Sequence, residues 1–557
     1  AVGLQADLVR DIRSSLYLLW GGALFVLLIG CVNVASLVLV RSRVRLKEFA
    51  TRLALGANQW HLIRQLTTEY VLLTMVAALG GLGIGSSTLR VLRALNLELP
   101  RFAEIQIDGM VIVSTLLVAA AVGVLLGAIP VVGGLTVNLT TSLNSEGRGG
   151  SIGRGARAQG RALVVTQVAV AFVLLICAGL LLASFRRVLA VDPGFNPDAV
   201  LTASVNLPGS RYPDDASVRR FTDDALRAIR STAGVVAAGT TTSIPFGDNF
   251  AESGLLAEGY HMRTSESLIA PYEVWASPGF FETMQMRLVQ GRLFNDHDTA
   301  DAPSVVIIDE KLAHRFWPDA NPVGHRMYEP SDNPDPTAIT ARTVWHTVIG
   351  VVKEVKLRGL VEGVGEVGAY YYPQAQRPPR SLTFAIRTAT AHSSVASALR
   401  SEIATIDPEL PVFDVQTMTD RTDRSLVSQR TAVLLATAFG FVALLLSAIG
   451  IYGMLAYLVT QRTKEIGIRM ALGSSTSAVF RLVLREGVWL MVGGFVLGTS
   501  GAMAISHSLE HQLFGVHVSD PVVLLLAILP LALVGLIACV LPANRASRIS
   551  PIVALSE

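Results

Sequence analysis

Seven stretches of this chain stay apolar for about 20 residues or more: roughly 16–40, 69–92, 110–133, 162–185, 431–459, 487–508 and 521–541. At 1.5 Å per residue such a run spans the hydrocarbon of a bilayer, where a helix satisfies all of its own backbone polar groups. The runs therefore predict seven transmembrane helices. Charged residues make up 16% of the chain, well below the quarter usual in soluble domains, and this agrees. Asn33 and Gln167 are polar interruptions placed to bond across helices. Glycines in 79–85 and 493–501 suit close helix approach, and Tyr17, Trp20 and Trp489 sit near run ends, where amphipathic rings prefer the interface. Cys31, Cys177 and Cys539 each fall inside an apolar run and read as small buried hydrophobes.

Lysine and arginine set the orientation. Segments 41–66, 138–161 and 460–486 and the tail carry Arg41, Arg43, Arg45, Lys47, Arg52, Arg154, Arg157, Arg161, Arg462, Lys464, Arg469, Arg485, Arg545 and Arg548. Loop 509–520 has no Lys or Arg. Basic loops stay cytoplasmic, so 93–109 and the long segment 190–430 face outward.

A repeat organises the membrane part. Lys47-Glu48-Phe49-Ala50-Thr51-Arg52-Leu53-Ala54-Leu55-Gly56 recurs as Lys464-Glu465-Ile466-Gly467-Ile468-Arg469-Met470-Ala471-Leu472-Gly473, displaced by 417 positions. At the same offset Arg64 matches Arg481 and Glu69 matches Glu486, while Pro130 and Pro542 close corresponding spans. Glu48/Arg52 and Glu465/Arg469 are i, i+4 pairs that support short helices, and Gly56 and Gly473 suit helix C-caps. A mere connector needs positive charge; it does not need this order of residues twice. The twice-used segment is the candidate docking helix for a cytoplasmic partner: Lys47, Glu48, Arg52, Ala54, Leu55 and Gly56, with Lys464, Glu465, Arg469, Ala471, Leu472 and Gly473.

The outward segment alternates element types. Val200–Asn206 reads as a strand, Ala216–Ser231 as a helix with the stripe Phe221, Ala225, Ile229, and Val235–Thr240 as a strand. The pattern returns at 381–388, 394–406 and 411–416, with Ser393 or Ser394 as a possible N-cap, around a strand-rich stretch at 274–356. This predicts a mixed α/β domain with a sheet covered by helices. The expected plan is 1–15, the end of an outer domain; 16–141, a first repeat with three spans; 142–161, a Gly/Ser/Arg linker; 162–189, a span; 190–430, the outer domain; and 431–557, a second repeat with three spans.

The paired Lys-Glu-x-x-x-Arg-x-Ala-Leu-Gly segment, each copy after an apolar span, resembles the permease subunits of MacB/FtsX-type ABC transporters. The outer segment adds Asp192-Pro193-Gly194-Phe195, Ser277-Pro278-Gly279-Phe280-Phe281, Gly291-Arg292, Asn321-Pro322-Val323-Gly324 and Val348-Ile349-Gly350-Val351-Val352, similar to the MacB-like periplasmic core domain. The halves resemble the duplicated, ATPase-free permeases of the family. The resemblance implies an α-helical polytopic membrane protein with two FtsX-like repeats and a large mixed α/β extracytoplasmic domain. It implies the bacterial plasma (inner) membrane, and partners that are a separate cytoplasmic ABC ATPase, the lipid bilayer and a periplasmic or envelope protein. The expected role is mechanotransmission from that ATPase to the outer domain; the alternative is a membrane-anchored sensor or scaffold without transport.

No Gly-x-x-x-x-Gly-Lys-Ser/Thr phosphate loop occurs in the sequence, so ATP hydrolysis is expected in the partner and no cofactor in this chain. His297, His314, His325 and His346 lack ligand spacing, and neither a metal nor a catalytic site is expected. The basic residues follow membrane topology, and nothing points to nucleic acid. The family unit has four spans, and the first half shows three. Residues 1–15 look like the end of an outer domain, so the native product is expected to continue upstream of Ala1 with one more span and a second outer domain. The rival is a natural seven-span chain.

Overall fold

The computed structural model describes residues 13–44, 48, 51–52, 58–94, 106–134, 152–262, 268–330, 339–341, 343–361, 366–472, 474–509, 514–517 and 520–547. It divides into two units, Ala1–Arg186 with Ser428–Glu557, and Arg187–Val427.

All seven apolar runs form helices: α1 (Arg13–Val44), α2 (Gln59–Ala94), α3 (Gly109–Gly134), α4 (Ile152–Leu189), and later α10 (Val427–Gln461), α12 (Thr476–Leu509) and α13 (Pro521–Ser547). Each is long and apolar enough to cross a membrane. The helices run beyond the apolar windows because good helix formers continue past the hydrocarbon. Pro130 and Pro542 do not close their spans. Both lie inside α3 and α13, as does Pro530, and helices in a bundle tolerate the lost backbone bond.

Helix α4 is the most enclosed span. Val164, Val168, Phe172, Ile176 and Leu180 recur at helical spacing and pack with Ile451 and Leu455 of α10, Leu490 and Met491 of α12, and Val523, Ala527 and Leu531 of α13. Glycines on α12 set the approach: a β-carbon on Gly498 would stand 2.8 Å from the Ala169 carbonyl oxygen, and one on Gly494 2.4 Å from Val168 Cγ1. The glycines at 80, 81, 83 and 85 behave otherwise, for a β-carbon there meets nothing within 4 Å. At these four positions the missing side chain therefore makes room for no neighbouring helix among the described residues.

The second unit is built on one sheet. Its elements are β1 (Val200–Asn206), α5 (Asp215–Ser231), β2 (Val235–Thr241), β3 (Ala251–Glu252), β4 (Leu256–Ala257), β5 (Tyr272–Ala276), α6 (Pro278–Met284), β6 (Leu288–Gly291), β7 (Val305–Asp309), α7 (Glu310–Phe316), β8 (Arg326–Tyr328), β9 (Trp345–Val352), β10 (Ala369–Pro373), β11 (Ser381–Thr388), α8 (His392–Ile406), β12 (Phe413–Thr417) and α9 (Met418–Ser425). The strand order is β12-β1-β11-β2-β5-β10-β7-β9-β8-β4, with β3 on β5 and β6 on β9. β5/β10 and β7/β9 are parallel; the other pairs are antiparallel.

The expected β-α-β repeats are present as β1-α5-β2 and β11-α8-β12. They interleave, with β11 between β1 and β2, as in a ferredoxin-like split β-α-β unit. Residues 242–380 are an insertion between its halves. Phe221, Ala225 and Ile229 face the sheet as expected, with Val395, Leu399 and Ile403 beside them. One detail differs. Helix α8 starts at His392 with Ala391 as its N-cap, and Ser394 Oγ donates back to the Ala391 carbonyl at 2.7 Å. The helix begins before either serine, so neither caps it.

Candidate coupling site

Helix α11 (Thr463–Ala471) carries the second copy of the repeated segment. It follows α10 almost without interruption, since Arg462 N still donates to the Leu458 and Val459 carbonyls. One side holds it to the bundle. Ile466, 2% exposed, packs into the cluster of Leu455, Leu458, Val479 and Val483, with Met470 beside it. Glu465 and Arg469, paired at 2.6 Å and one turn apart, flank that side. Ile468 and Leu472, also one turn apart, are exposed next to them, Leu472 at 83%. A charged pair beside two unpartnered aliphatic side chains is a surface that can dock protein, where an isolated surface ion pair contributes little by itself.

The first copy is described at fewer positions. Glu48 and Arg52 pair at 2.5 Å, the counterpart of Glu465 and Arg469. Arg52 Nη1 also donates to Gln65 Oε1 of α2 at 3.2 Å. The position equivalent to Gln65 is Leu482, so only the first copy has this tie. Lys47, Ala54, Leu55, Gly56 and Gly473 lie outside the described residues, as does the Lys464 side chain, and with them both expected glycine caps. Helix α11 ends on Leu472, whose φ of −82° is not left-handed, with Leu472 N bonding the Ile468 carbonyl. Ala471 is exposed beside it.

Sequence reasoning did not assign the residues that position α11. Glu486 of α12 is 16% exposed and accepts from two arginines. Arg161 of α4 reaches Oε1 with Nε at 3.0 Å and also with Nη2. Arg462, the N-cap residue of α11, reaches Oε2 with Nη1 at 3.2 Å. One carboxylate thus ties the start of α11 to two spans. The signal was present: Arg45 and Glu69 stand 417 positions before Arg462 and Glu486. A carboxylate at the edge of an apolar run needs a partner.

The motifs of the outer unit turn out to be structural. Gly194, at φ +84°, lies against the Glu354 carbonyl, where a β-carbon would come within 2.1 Å, and Lys356 N bonds the Pro193 carbonyl at 2.9 Å. Asp192 pairs with Lys353. Ser277 Oγ accepts from Thr240 N at 2.8 Å at the head of α6. Arg292 clasps Asp298 through both guanidinium nitrogens at 2.8 Å, which, with the Asn295 N–H, holds that carboxyl below its usual range despite its burial. Asn321 Oδ1 accepts from Val323 N at 3.0 Å.

Among the described residues no three His, Cys, Asp or Glu side chains gather as a metal site. His346 is buried, with Nδ1 2.7 Å from Ser304 Oγ and its ring on Tyr372, and burial pulls its imidazole down to about 4. His325 stacks on Trp317, and His314 Nδ1 lies 2.7 Å from the Glu310 carbonyl.

The FtsX-like permease C-terminal family matches residues 20–139 and again 437–551, and the MacB-like periplasmic core domain matches 162–406. This chain belongs to the MacB/FtsX-type permease family. The permease is 26% identical over 303 residues to the macrolide export ATP-binding/permease protein MacB of Neisseria gonorrhoeae, a match covering 50% of this chain and 42% of that protein. It is 28% identical over 290 residues to the MacB of Agrobacterium fabrum, again covering 50% and 42%. The permease thus aligns with less than half the length of these relatives. Among solved structures, the periplasmic region of MacB from Actinobacillus actinomycetemcomitans matches at 16% identity and a TM-score of 0.28, covering 43% of this chain and 97% of that one. The extracellular domain of the ABC-type transporter YknZ from Gram-positive bacteria matches at 15% and 0.26, covering 38% and 100%. By the family matches the chain carries two FtsX-like permease regions and a MacB-like periplasmic core domain.

Proposed function

We propose that this permease works with a separate cytoplasmic ABC ATPase and transmits its nucleotide-driven motion to the outer domain. The observation that carries this reading is the pair of ion-paired segments, Glu48/Arg52 and Glu465/Arg469, at equivalent positions of the two repeats. A pair of ATPase subunits offers two equivalent faces and needs two equivalent contacts. Exposed Ile468 and Leu472 supply the apolar part of one contact. Glu486 passes displacement of α11 to α4 through Arg161, and α4 is one continuous helix from Ile152 to Leu189. Such a relay requires elements with two alternative arrangements that both ends bias.

In this reading the coupling segments, with their basic loops, face the cytoplasm of a bacterium and 190–430 lies outside its plasma membrane. The chain itself acts as a transmitter, with hydrolysis in its partner. Purification from the native membrane in mild detergent, with mass spectrometry of what co-purifies, tests this. An ABC ATPase whose hydrolysis rate changes on reconstitution with the permease supports it. Recovery of only an envelope protein, with no ATPase, favours a sensor or scaffold instead.

A further inference from the structure

Helices α1 and α10 occupy equivalent places in the two repeats, and they meet at equivalent positions. Gly22 faces Phe439, 417 positions on: a β-carbon at Gly22 would lie 2.3 Å from the Phe439 ring. One cluster holds Val26 with Ala443 and Ile29 with Leu446, each pair again 417 apart. Asn33 faces Gly450 at the same offset, where a β-carbon would lie 2.4 Å from Asn33 Oδ1. Contacts between equivalent positions are what a twofold axis produces, so a local pseudo-twofold axis runs along this seam.

The seam is symmetric in position and asymmetric in residue. At its two tightest points one repeat supplies glycine and the other a large or polar side chain, and the roles exchange along the seam. Asn33 Nδ2 donates to the Leu446 carbonyl at 2.9 Å, and Gln167 Nε2 of α4 donates to the same oxygen at 2.7 Å. Gly450 leaves the room for both amides, since a β-carbon there would also lie 2.2 Å from Gln167 Oε1.

We infer that the Gly22/Phe439 and Asn33/Gly450 pairs key the two repeats to each other and exclude a second copy of the chain. Two α10 helices meeting this way would set Phe439 against Phe439 where only glycine fits. Two α1 helices would leave a void at Gly22 and place two buried amides at Asn33 with no glycine opposite. Heterotypic pairing alone fits both points. One chain therefore supplies both halves of the membrane pair. This holds whether or not the ATPase reading is right.

The test is exchange of knob and hole in the full chain, followed by thermal unfolding in detergent. Gly22→Phe lowers the midpoint by about 1–4 °C, as overpacking does in a protein of this size, and Phe439→Gly lowers it by leaving a cavity. The double variant regains at least half of the summed loss, because the knob has only crossed the axis. Asn33→Gly with Gly450→Asn regains less, because a β-carbon at 450 still meets the Gln167 amide. Two differently tagged copies expressed together show no co-capture. Phe439→Ala, which only removes the ring, gives a reading if the larger variants fail to fold: a lowered midpoint with the chain still single. Additive losses in the Gly22→Phe, Phe439→Gly double variant, an unmoved Phe439→Ala midpoint, or recovery of the second tag with the unaltered chain overturns the inference.

Discussion

Arg462 Nη1 lies 3.2 Å from Glu486 Oε2, and this contact fixes where helix α11 starts. Arg161 holds the other oxygen of the same carboxylate, so one side chain links α11 to both α4 and α12. Positive charge on the cytoplasmic side is demanded by topology alone. A carboxylate shared between two arginines from separate helices is not.

Removing that carboxylate tests its role. Glu486→Gln leaves two guanidiniums close together at a partly buried site, with a cost to stability of about 1–2 kcal/mol. The expected outcome is an inserted, folded permease whose partner still binds but whose hydrolysis no longer responds to it. An unchanged response in a reconstituted ATPase assay counts against the relay.

Charge reversal at the docking segments acts earlier. Arg52→Glu with Arg469→Glu places two carboxylates at i, i+4 in both copies, against Glu48 and Glu465. We expect ATPase co-purification to fall at least tenfold while membrane insertion is kept. Undiminished co-purification would place the docking surface elsewhere.

The outer segment 190–430 is expected to fold when expressed alone, because the unit Arg187–Val427 has its own cores. Within it Arg387 is buried and donates to the carbonyls of Thr283, Asp198 and Asn196 at 2.8, 2.7 and 2.9 Å. Lysine cannot reproduce that fork. Arg387→Lys should cost about 2–4 kcal/mol by stranding buried carbonyls, read as a lower midpoint in urea.

Acid should weaken the outer unit through His346. Its folded pKa, about 4, lies below the ordinary 6.5, so the unfolded chain binds the proton first. The stabilisation is complete above about 6.5 and is lost as pH falls toward 4, a change of up to about 3 kcal/mol. Asp309 opposes it: burial pushes that carboxyl up to about 7, so its contribution falls as pH rises. Comparison with His346→Gln isolates the imidazole. The gap in melting temperature between parent and variant should shrink from neutral pH to about pH 4.5. A constant gap would show that His346 does not titrate on unfolding.

Much of the fold was legible because its signals are local. Apolar runs must become helices in a bilayer, and their periodicity cannot be mistaken at that length. The strands 200–206 and 381–388 were readable end to end, since β-branched runs bounded by turn residues need no distant information. The α8 cap was missed because several polar residues at a helix start can each serve, and packing of Val395, Leu399 and Ile403 chooses the register.

The residues of the candidate coupling site divide the same way. The repeat of Lys-Glu and Arg at a fixed offset is visible in the chain, because recurrence needs no coordinates. That Glu486 binds Arg161 across 325 positions is not, because any arginine near the cytoplasmic face could have served. Glycines show the distinction most plainly: those at 494 and 498 seat α4, while those at 80, 81, 83 and 85 touch nothing within reach of a β-carbon. The sequence by itself determined seven long apolar helices, the duplicated segment and a mixed α/β domain, since hydrophobicity and its periodicity act residue by residue. Only the tertiary structure decided which glycines are contacts, which carboxylate holds α11, and that Asn33 meets Gly450, because those depend on which surfaces the packed helices turn toward each other.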